Sequence, residues 1–321
     1  MPIRVSVQKV VFLAVLISVQ FPALAQTTGK DGHDLSLGVS TGFLIGRAEE
    51  IVYVDDVTKN KESQLLWQVM PLVYAGVDLR YKWRIPSTGL AVFADTLFKF
   101  GIPGKSGKTE DRDWRDPLNP GLLTDYSTHD NKTKIAILLD INTGMSFTVL
   151  ERLLLKLFVS YNFMYLSWVA SGGSGSYRPP TGQVYFSGDV VTYNQTWHIA
   201  SPGIGLYGEF NRYFDIDLSF KVSPFVWCIA IDEHLRSAVY IHKTVFTDTM
   251  SGGLFIEAGL SFSFKPTDFF TLSLFTAYRR IKGTRGDTIK ETQGTLTPFI
   301  NQAGAGYSVF EVGITAKFVL F

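Results

Sequence analysis

Residues 214–226 read Phe-Asp-Ile-Asp-Leu-Ser-Phe-Lys-Val-Ser-Pro-Phe-Val. Phe214, Ile216, Leu218, Phe220, Val222, Pro224 and Val226 share one parity, and Asp215, Asp217, Ser219, Lys221 and Ser223 share the other. Successive side chains of a strand point to opposite faces, so the stretch reads as a strand with one oily and one wet face. The same alternation recurs around it. Leu153, Leu155, Leu157, Val159, Tyr161, Phe163 and Tyr165 oppose Lys156, Ser160 and Asn162. Phe270, Leu272, Leu274, Thr276 and Tyr278 oppose Thr271, Ser273 and Arg279. Phe310, Val312, Ile314, Ala316, Phe318 and Leu320 oppose Glu311, Thr315 and Lys317.

Similar segments lie near 34–54, 64–83, 88–101, 133–149, 192–210 and 245–264, which brings the count to ten. Between them, short turns (Pro86-Ser87, Leu150-Glu151, Asn211-Arg212, Pro266-Thr267-Asp268) alternate with long polar stretches at 102–132, 170–191, 232–244 and 282–305, read as loops. Tight turns at one end and long connections at the other are the pattern of a transmembrane β-barrel. A β-sandwich also gives each strand an apolar face. The even count, the length of the strands and aromatics near strand ends (Tyr161, Tyr165, Trp168; Tyr207, Phe210, Tyr213) favour the barrel. The sequence therefore predicts an all-β fold: a ten-stranded antiparallel transmembrane β-barrel with long extracellular strand extensions and loops. Such a barrel is too narrow for a general porin.

Composition agrees. The 321 residues are 46% hydrophobic and 18% charged, which excludes a disordered chain. Thirty basic and 29 acidic residues exclude a strongly basic nucleic-acid binder. The lone Cys228 excludes an internal disulfide and reads as a small buried or lipid-facing hydrophobe. Residues 1–25 combine Arg4 and Lys9, an apolar run over Val10–Val19 and an Ala23-Leu24-Ala25 cleavage signal, which predicts a cleaved leader. Residues 26–321 then form a single barrel domain in the outer membrane.

Two clusters interrupt the polar stretches. Asp111-Arg112-Asp113-Trp114 leads into Asn119-Pro120-Gly121 and Thr124-Asp125, and Asp232-Glu233-His234 follows an apolar alternation. In an extended chain the outer pair of each cluster shares a face at ~7 Å. Paired carboxylates raise each other's proton affinity, and a His beside a carboxylate is held in one tautomer and made more basic. A water between an Asp pair and a His–Asp pair has the base it needs to attack a carbonyl. Solvated loop acids are the plainer alternative. Continuing the parity from Val222 and Val226 puts Asp232 and His234 on the oily face, so a bulge near Pro224 or strand twist is needed to turn them inward. His33, His198 and His242 have no metal-ligand spacing, so no metal is expected.

These motifs, with Glu50-Ile51-Val52-Tyr53, Ser63-Gln64-Leu65-Leu66-Trp67 and Gly304-Ala305-Gly306, resemble the omptins, outer-membrane proteases of Gram-negative bacteria. The resemblance runs in order through the whole mature chain. It implies an aspartic-type endopeptidase at the cell surface acting on extracellular peptides or proteins, with the active site facing outward. Asp111 and Asp113 match the family's Asp pair and Asp232 and His234 its His–Asp pair. Asp125, Ser127 and His129 match supporting positions. Of the two acids that line the family's P1 pocket, Glu50 matches one and Ala230 stands in place of the other, which implies a P1 preference altered from strictly dibasic.

Omptins also use lipopolysaccharide, held by Arg, Glu and Tyr on the outer face. Tyr161 matches the Tyr, but Phe163 and Tyr165 stand for the Glu and Arg, and the other Arg falls near Trp197-His198. A phosphate clamp without Arg is poor, so either lipopolysaccharide is not used or it is bound differently, and dependence on it is doubtful. No cofactor, no nucleic acid and no partner beyond membrane lipids and substrate is implied, and the barrel is expected to be a monomer. A catalytically silent barrel serving as an adhesin or host-protein binder is the alternative reading. A small-solute channel is a third, disfavoured by the bore.

Overall fold

The computed structural model describes residues 32–55, 60–178, 182–235 and 242–321. The predicted leader lies outside the described residues. Among the described residues there are fourteen strand segments: β1 (His33–Tyr53), β2 (Lys61–Ile85), β3 (Leu90–Gly101), β4 (Gly104–Asp113), β5 (Asp125–Leu150), β6 (Leu153–Tyr177), β7 (Gly182–Tyr185), β8 (Asp189–Glu209), β9 (Phe214–Ser223), β10 (Val226–His234), β11 (Thr244–Ser251), β12 (Leu254–Thr267), β13 (Phe270–Thr292) and β14 (Thr295–Val319). Every pairing is antiparallel, and β1 pairs with both β2 and β14, so the sheet closes on itself. Three pairs of segments share their neighbours and count as single interrupted strands: β3 with β4, β9 with β10, and β11 with β12. With β7 set aside as an arm on β6, ten strands make the ring. Closure leaves no free edge in the wall, as a structure surrounded by hydrocarbon requires.

Side chains sort across the wall as the alternation predicts. Phe98, Leu157, Val159, Leu218, Phe220, Phe262, Leu274 and Ile314 are exposed on the outer, lipid-facing surface. Lys99, Asp140, Asn162, Lys221, Glu257, Arg279 and Glu311 are buried in the lumen. There they form one network. Lys99 Nζ and the Tyr74 hydroxyl both donate to Glu311 Oε1 at 2.5 Å, Lys221 Nζ lies 2.9 Å from Glu257 Oε1, and Arg279 bridges Asp140 (2.5 Å) and Glu257. Breaking one member of such a buried set costs ~3–5 kcal/mol, because a charge is then left uncompensated. Above the network lies an apolar layer in which Trp67 stacks on Tyr193 (centroids 5.3 Å apart) and Trp168 (6.1 Å). These two layers fill the barrel and floor whatever lies above.

The stretches read as long loops are mostly strand. β4 and the start of β5 occupy much of 102–132, β6 runs to Tyr177, and β13 and β14 meet at a two-residue turn, Gln293-Gly294. Both turn residues have positive φ (52° and 76°), the geometry that joins twisted strands tightly. The ladder continues above the membrane, where neither face meets lipid and the oily parity vanishes. The four short turns lie at the opposite end, as expected.

The interruptions reset the parity. Pro224 and Phe225, between β9 and β10, are both exposed, so one extra residue is inserted between inward-facing Ser223 and inward-facing Val226. Val226 is therefore 1% exposed and not on the oily face with Val222, a correction to the simple alternation. From there Val226, Cys228, Ala230 and Asp232 are all buried, and Cys228 is internal. The break in the adjacent strand falls at Gly252-Gly253, both with positive φ (75° and 85°). A Cβ on Gly253 would lie 2.7 Å from the Lys282 carbonyl oxygen.

Candidate active site

The shifted parity brings β10 to the mouth with its functional side chains inward. Asp232 pairs with Tyr193 of β8 and Phe246 of β11, and His234 with Val191 and Thr244. His234 Nε2 lies 2.6 Å from Asp232 Oδ2, and the His ring stands edge-on to Phe246 at 5.5 Å. The carboxylate thereby fixes the proton on Nε2 and gives Nδ1 the basic lone pair.

On the far side of the ring, a bulge at Gly107 (φ 86°) between Lys105 and Lys108 turns Thr109, Asp111 and Asp113 toward the interior. Ser63 Oγ donates to Asp111 Oδ1 at 3.4 Å, and Arg115 Nη2 lies 3.0 Å from Asp113 Oδ2. Asp111 pairs with Ser127 and Asp113 with Asp125 across the β4–β5 ladder. Asp111, Asp113, Asp232 and His234 line one cavity of about 430 Å³ together with Glu50, Ser63, Arg115, Ser127, His129, Tyr177, Asp248, Thr288 and Lys290. Oδ1 of Asp113 and Oδ1 of Asp232 are buried without a hydrogen-bond partner.

Burial and crowding of acids set the protonation. Burial, then the Asp113 charge, pushes Asp111 up to about 7, against the pull of His234 and Arg115. Asp113 is raised by burial, with Arg115 opposing. For His234, burial favours the neutral ring, but the Asp232 charge and hydrogen bond, with Asp111 and Asp113, outweigh it and raise its basicity. Near neutrality Asp111 is therefore partly protonated, while His234 is a base of enhanced strength.

The supporting residues are placed as follows. His129 Nδ1–H donates to the Gly172 carbonyl at 2.5 Å, and the Ser127 hydroxyl donates to His129 Nε2 at 2.9 Å. Burial lowers the basicity of His129, keeping it neutral. Asp125 is buried outside the cavity, where the Arg178 backbone N–H donates to its Oδ1 at 2.8 Å. Among the described residues, no group of three or more His, Cys, Asp or Glu is arranged to hold a metal ion.

A model of the omptin family matches residues 31–320. The chain is an omptin. Outer membrane protease OmpP of Escherichia coli K12 is 26% identical over 297 residues, 88% of each chain. The plasminogen activator of Yersinia pestis is 29% identical over 232 residues, 70% of each chain. The crystal structure of outer membrane protease OmpT from Escherichia coli superposes with a TM-score of 0.79 at 21% identity, covering 92% of this chain and 99% of that one. This omptin is accordingly a barrel of the bacterial outer membrane whose site opens to the exterior.

Of the sequence-predicted residues, the omptin brings Glu50, Asp111, Asp113, Ser127, His129, Asp232 and His234 to one cavity. Ala230 is placed differently. It is fully buried in the apolar cluster below and does not line the cavity. Asp248, paired directly across the β10–β11 ladder from Ala230, reaches the cavity instead. Neither Asp248 nor Arg115 was singled out from the sequence. Arg115 follows Asp113-Trp114 and carries a local signal, whereas Asp248 sits in an ordinary Thr-Asp-Thr alternation.

Proposed function

We propose that this omptin is an outer-membrane endopeptidase that hydrolyses peptide bonds of extracellular peptides or proteins with an activated water. The observation that carries the reading is the 2.6 Å Asp232–His234 pair facing Asp111 and Asp113 across one cavity. The water lies between the pairs, accepted by the unpartnered Asp113 and Asp232 oxygens. Its proton passes to His234 Nδ1 as its oxygen bonds to the carbonyl carbon. Asp232 stabilises the imidazolium that forms. A proton on Asp111 is placed to hydrogen-bond the developing oxyanion. When the tetrahedral intermediate collapses, the C–N bond breaks and the amine leaves with the proton from His234. No side-chain nucleophile takes part, and Ser127 serves only to position its neighbours.

Because Ala230 supplies no carboxylate, we infer a P1 preference altered from strictly dibasic. We also infer a monomer active without lipopolysaccharide. On the outer face the Tyr161 hydroxyl lies 2.7 Å from His198 Nδ1, and the Phe163 ring is 5.3 Å from the His198 ring. That is an aromatic, lipid-contacting patch with no guanidinium at Phe163 or Tyr165.

Peptide-library cleavage by refolded protein tests the reading, with wild type set against Asp111→Ala and His234→Ala. Loss of cleavage in both variants supports it and unchanged cleavage removes it. A wild type that cleaves nothing, with or without lipids, points to the silent binder.

A further inference from the structure

Asp113 and Asp232 line the cavity in matching states. In each carboxylate one oxygen is tied, and Oδ1 is buried without a hydrogen-bond partner. For Asp232 the tie is His234 Nε2, 2.6 Å from Oδ2. For Asp113 it is Arg115 Nη2, 3.0 Å from Oδ2. The mechanism gives His234 a task and Arg115 none.

Arg115 is built into place. Its backbone N–H donates to Thr124 Oγ1 at 3.1 Å, and its carbonyl accepts from Arg178 Nη2 at 2.9 Å. Thr124 donates its own N–H and hydroxyl to the Asp113 carbonyl, at 2.8 and 3.0 Å. The Trp114 N–H donates to the Glu62 carbonyl at 2.8 Å. Arg178 is fixed in turn by its backbone N–H on Asp125 Oδ1. The run from Asp113 to Arg115 is thus stitched to β2, to the start of β5 and to the end of β6, which turns the guanidinium back onto the carboxylate two residues earlier.

The ion pair joins unequal partners: the Arg115 side chain is 42% exposed and that of Asp113 only 3%. A half-exposed guanidinium adds little to fold stability. For the buried carboxylate the same contact sets orientation and charge. Around the Asp111–Asp113 pair stand Glu62 from β2, Asp125 from β5, Tyr177 from β6 and Asp232 from β10, with His234 as a second basic group. Burial raises Asp113 and the Arg115 charge opposes it.

We propose that Arg115 is a positioning residue for the attacking water: it ties Asp113 Oδ2 and so leaves Oδ1 as the acceptor that meets the water. The inference rests on the peptidase reading above. With Asp113 kept anionic beside Arg115, a proton on the pair sits on Asp111, where the oxyanion needs it.

Two measurements test it, and one needs no catalysis. First, kcat and KM of refolded wild type, Arg115→Gln and Arg115→Lys are followed across a pH series. Loss of the cation raises the proton affinity of the groups around it. Arg115→Gln is expected to lose at least ~10-fold in kcat near neutral pH, as for one hydrogen bond to a charged group. Its acid limb moves to higher pH, and its KM stays within ~3-fold of wild type. Arg115→Lys keeps the charge and is expected to hold the limb in place. A loss that is uniform across pH, or a raised KM at unchanged kcat, overturns the proposal while leaving the peptidase standing. If Arg115→Gln does not refold, Thr124→Val, which removes the hydroxyl that holds the Arg115 N–H, supplies the comparison, with the limb moved the same way. Second, NMR of protein carrying isotope-labelled aspartate carboxyls follows Asp113, its signal assigned by Asp113→Asn. Asp113 is expected to titrate at higher pH in Arg115→Gln than in wild type. An unmoved titration overturns the proposal even where activity falls. A moved titration in a protein that cleaves nothing sinks the peptidase and leaves Arg115 as the group that sets Asp113.

Discussion

Asp232→Asn is the substitution that asks most of the mechanism. The carboxylate is 2% exposed at its side chain and contacts His234 Nε2 at 2.6 Å. Asn keeps the shape and removes the charge. Between charges ~4 Å apart, Coulomb's law at an effective dielectric near 20 gives ~4 kcal/mol, and one pKa unit corresponds to ~1.4 kcal/mol. Water at the open mouth screens part of this, and Asp111 and Asp113 still favour the imidazolium. A lower His234 pKa is the expected net effect. His234 must be neutral to accept the proton, so activity is full above its folded pKa and is lost as pH drops through it. Wild type therefore has its acid limb above the ordinary His value of 6.5, and the variant's limb moves down. The plateau falls too, by ~10²–10⁴ in kcat/KM, because the base is weaker and its tautomer is no longer fixed. The assay is a pH series of kcat/KM with a fluorogenic peptide on refolded protein. A plateau within ~3-fold of wild type with an unmoved limb would refute the assigned role, since catalytic loss and limb shift share one cause.

Other outcomes follow from the same geometry. Ser127→Ala should cost less than ~10-fold in kcat/KM, whereas loss of a true nucleophile costs ~10⁶, so single-turnover assays separate the two roles. Asp248→Asn should stabilise the fold at alkaline pH. Burial pushes the folded carboxyl up to about 7 from its ordinary value of 3.8, so the folded state binds more protons in that window and wild-type stability falls as pH rises through it. Urea midpoints followed by Trp fluorescence should coincide near pH 4, draw apart as pH rises to about 7 and stay apart above it, and an offset that is constant from pH 4 upward would contradict this. Arg279→Met strands Asp140 and Glu257 in the lumen and should destabilise by ~3–5 kcal/mol, read by the same denaturation. Lipopolysaccharide added to detergent-refolded enzyme should leave its rate little changed, and a steep rise would restore a lipid clamp.

How much was legible depended on what each strand faces. Where one side meets lipid, as from Phe214 to Val222 or Leu153 to Tyr165, the oily parity is conspicuous and the strands fell where the alternation put them. Above the membrane both faces meet water or the cavity. There the ladder of β4, β6, β13 and β14 runs on through stretches whose composition looks like loop. The catalytic parity hinged on one inserted residue at Pro224-Phe225, which the Pro flagged as a place for a break without giving the sense of the shift. The cluster Asp111, Asp113, Asp232 and His234 stood out by residue type and spacing, but solvated loop acids were the plainer reading of it until the resemblance to the omptins singled it out. Asp248 was not, because its place opposite Ala230 depends on the register of β10 against β11. That register is decided by a connection whose length and composition say nothing about pairing.

The lumen network also bears on assembly. Its contacts across the bore join residues far apart in sequence: Lys99 and Glu311 are separated by 212 positions, Tyr74 and Glu311 by 237, Arg279 and Asp140 by 139. Lys99, Lys221 and Arg279 balance Asp140, Glu257 and Glu311 charge for charge. Glu257 meets Lys221 and Arg279 across adjacent strands, but the contacts that span the bore, Lys99 and Tyr74 to Glu311 and Arg279 to Asp140, need the sheet closed along the β1–β14 seam. An incompletely closed sheet must keep its lumen wet, since each unmatched charge retains its hydration. Drying of the bore thus goes with completed closure, and it leaves behind a wall that holds the cavity above it without becoming a leak.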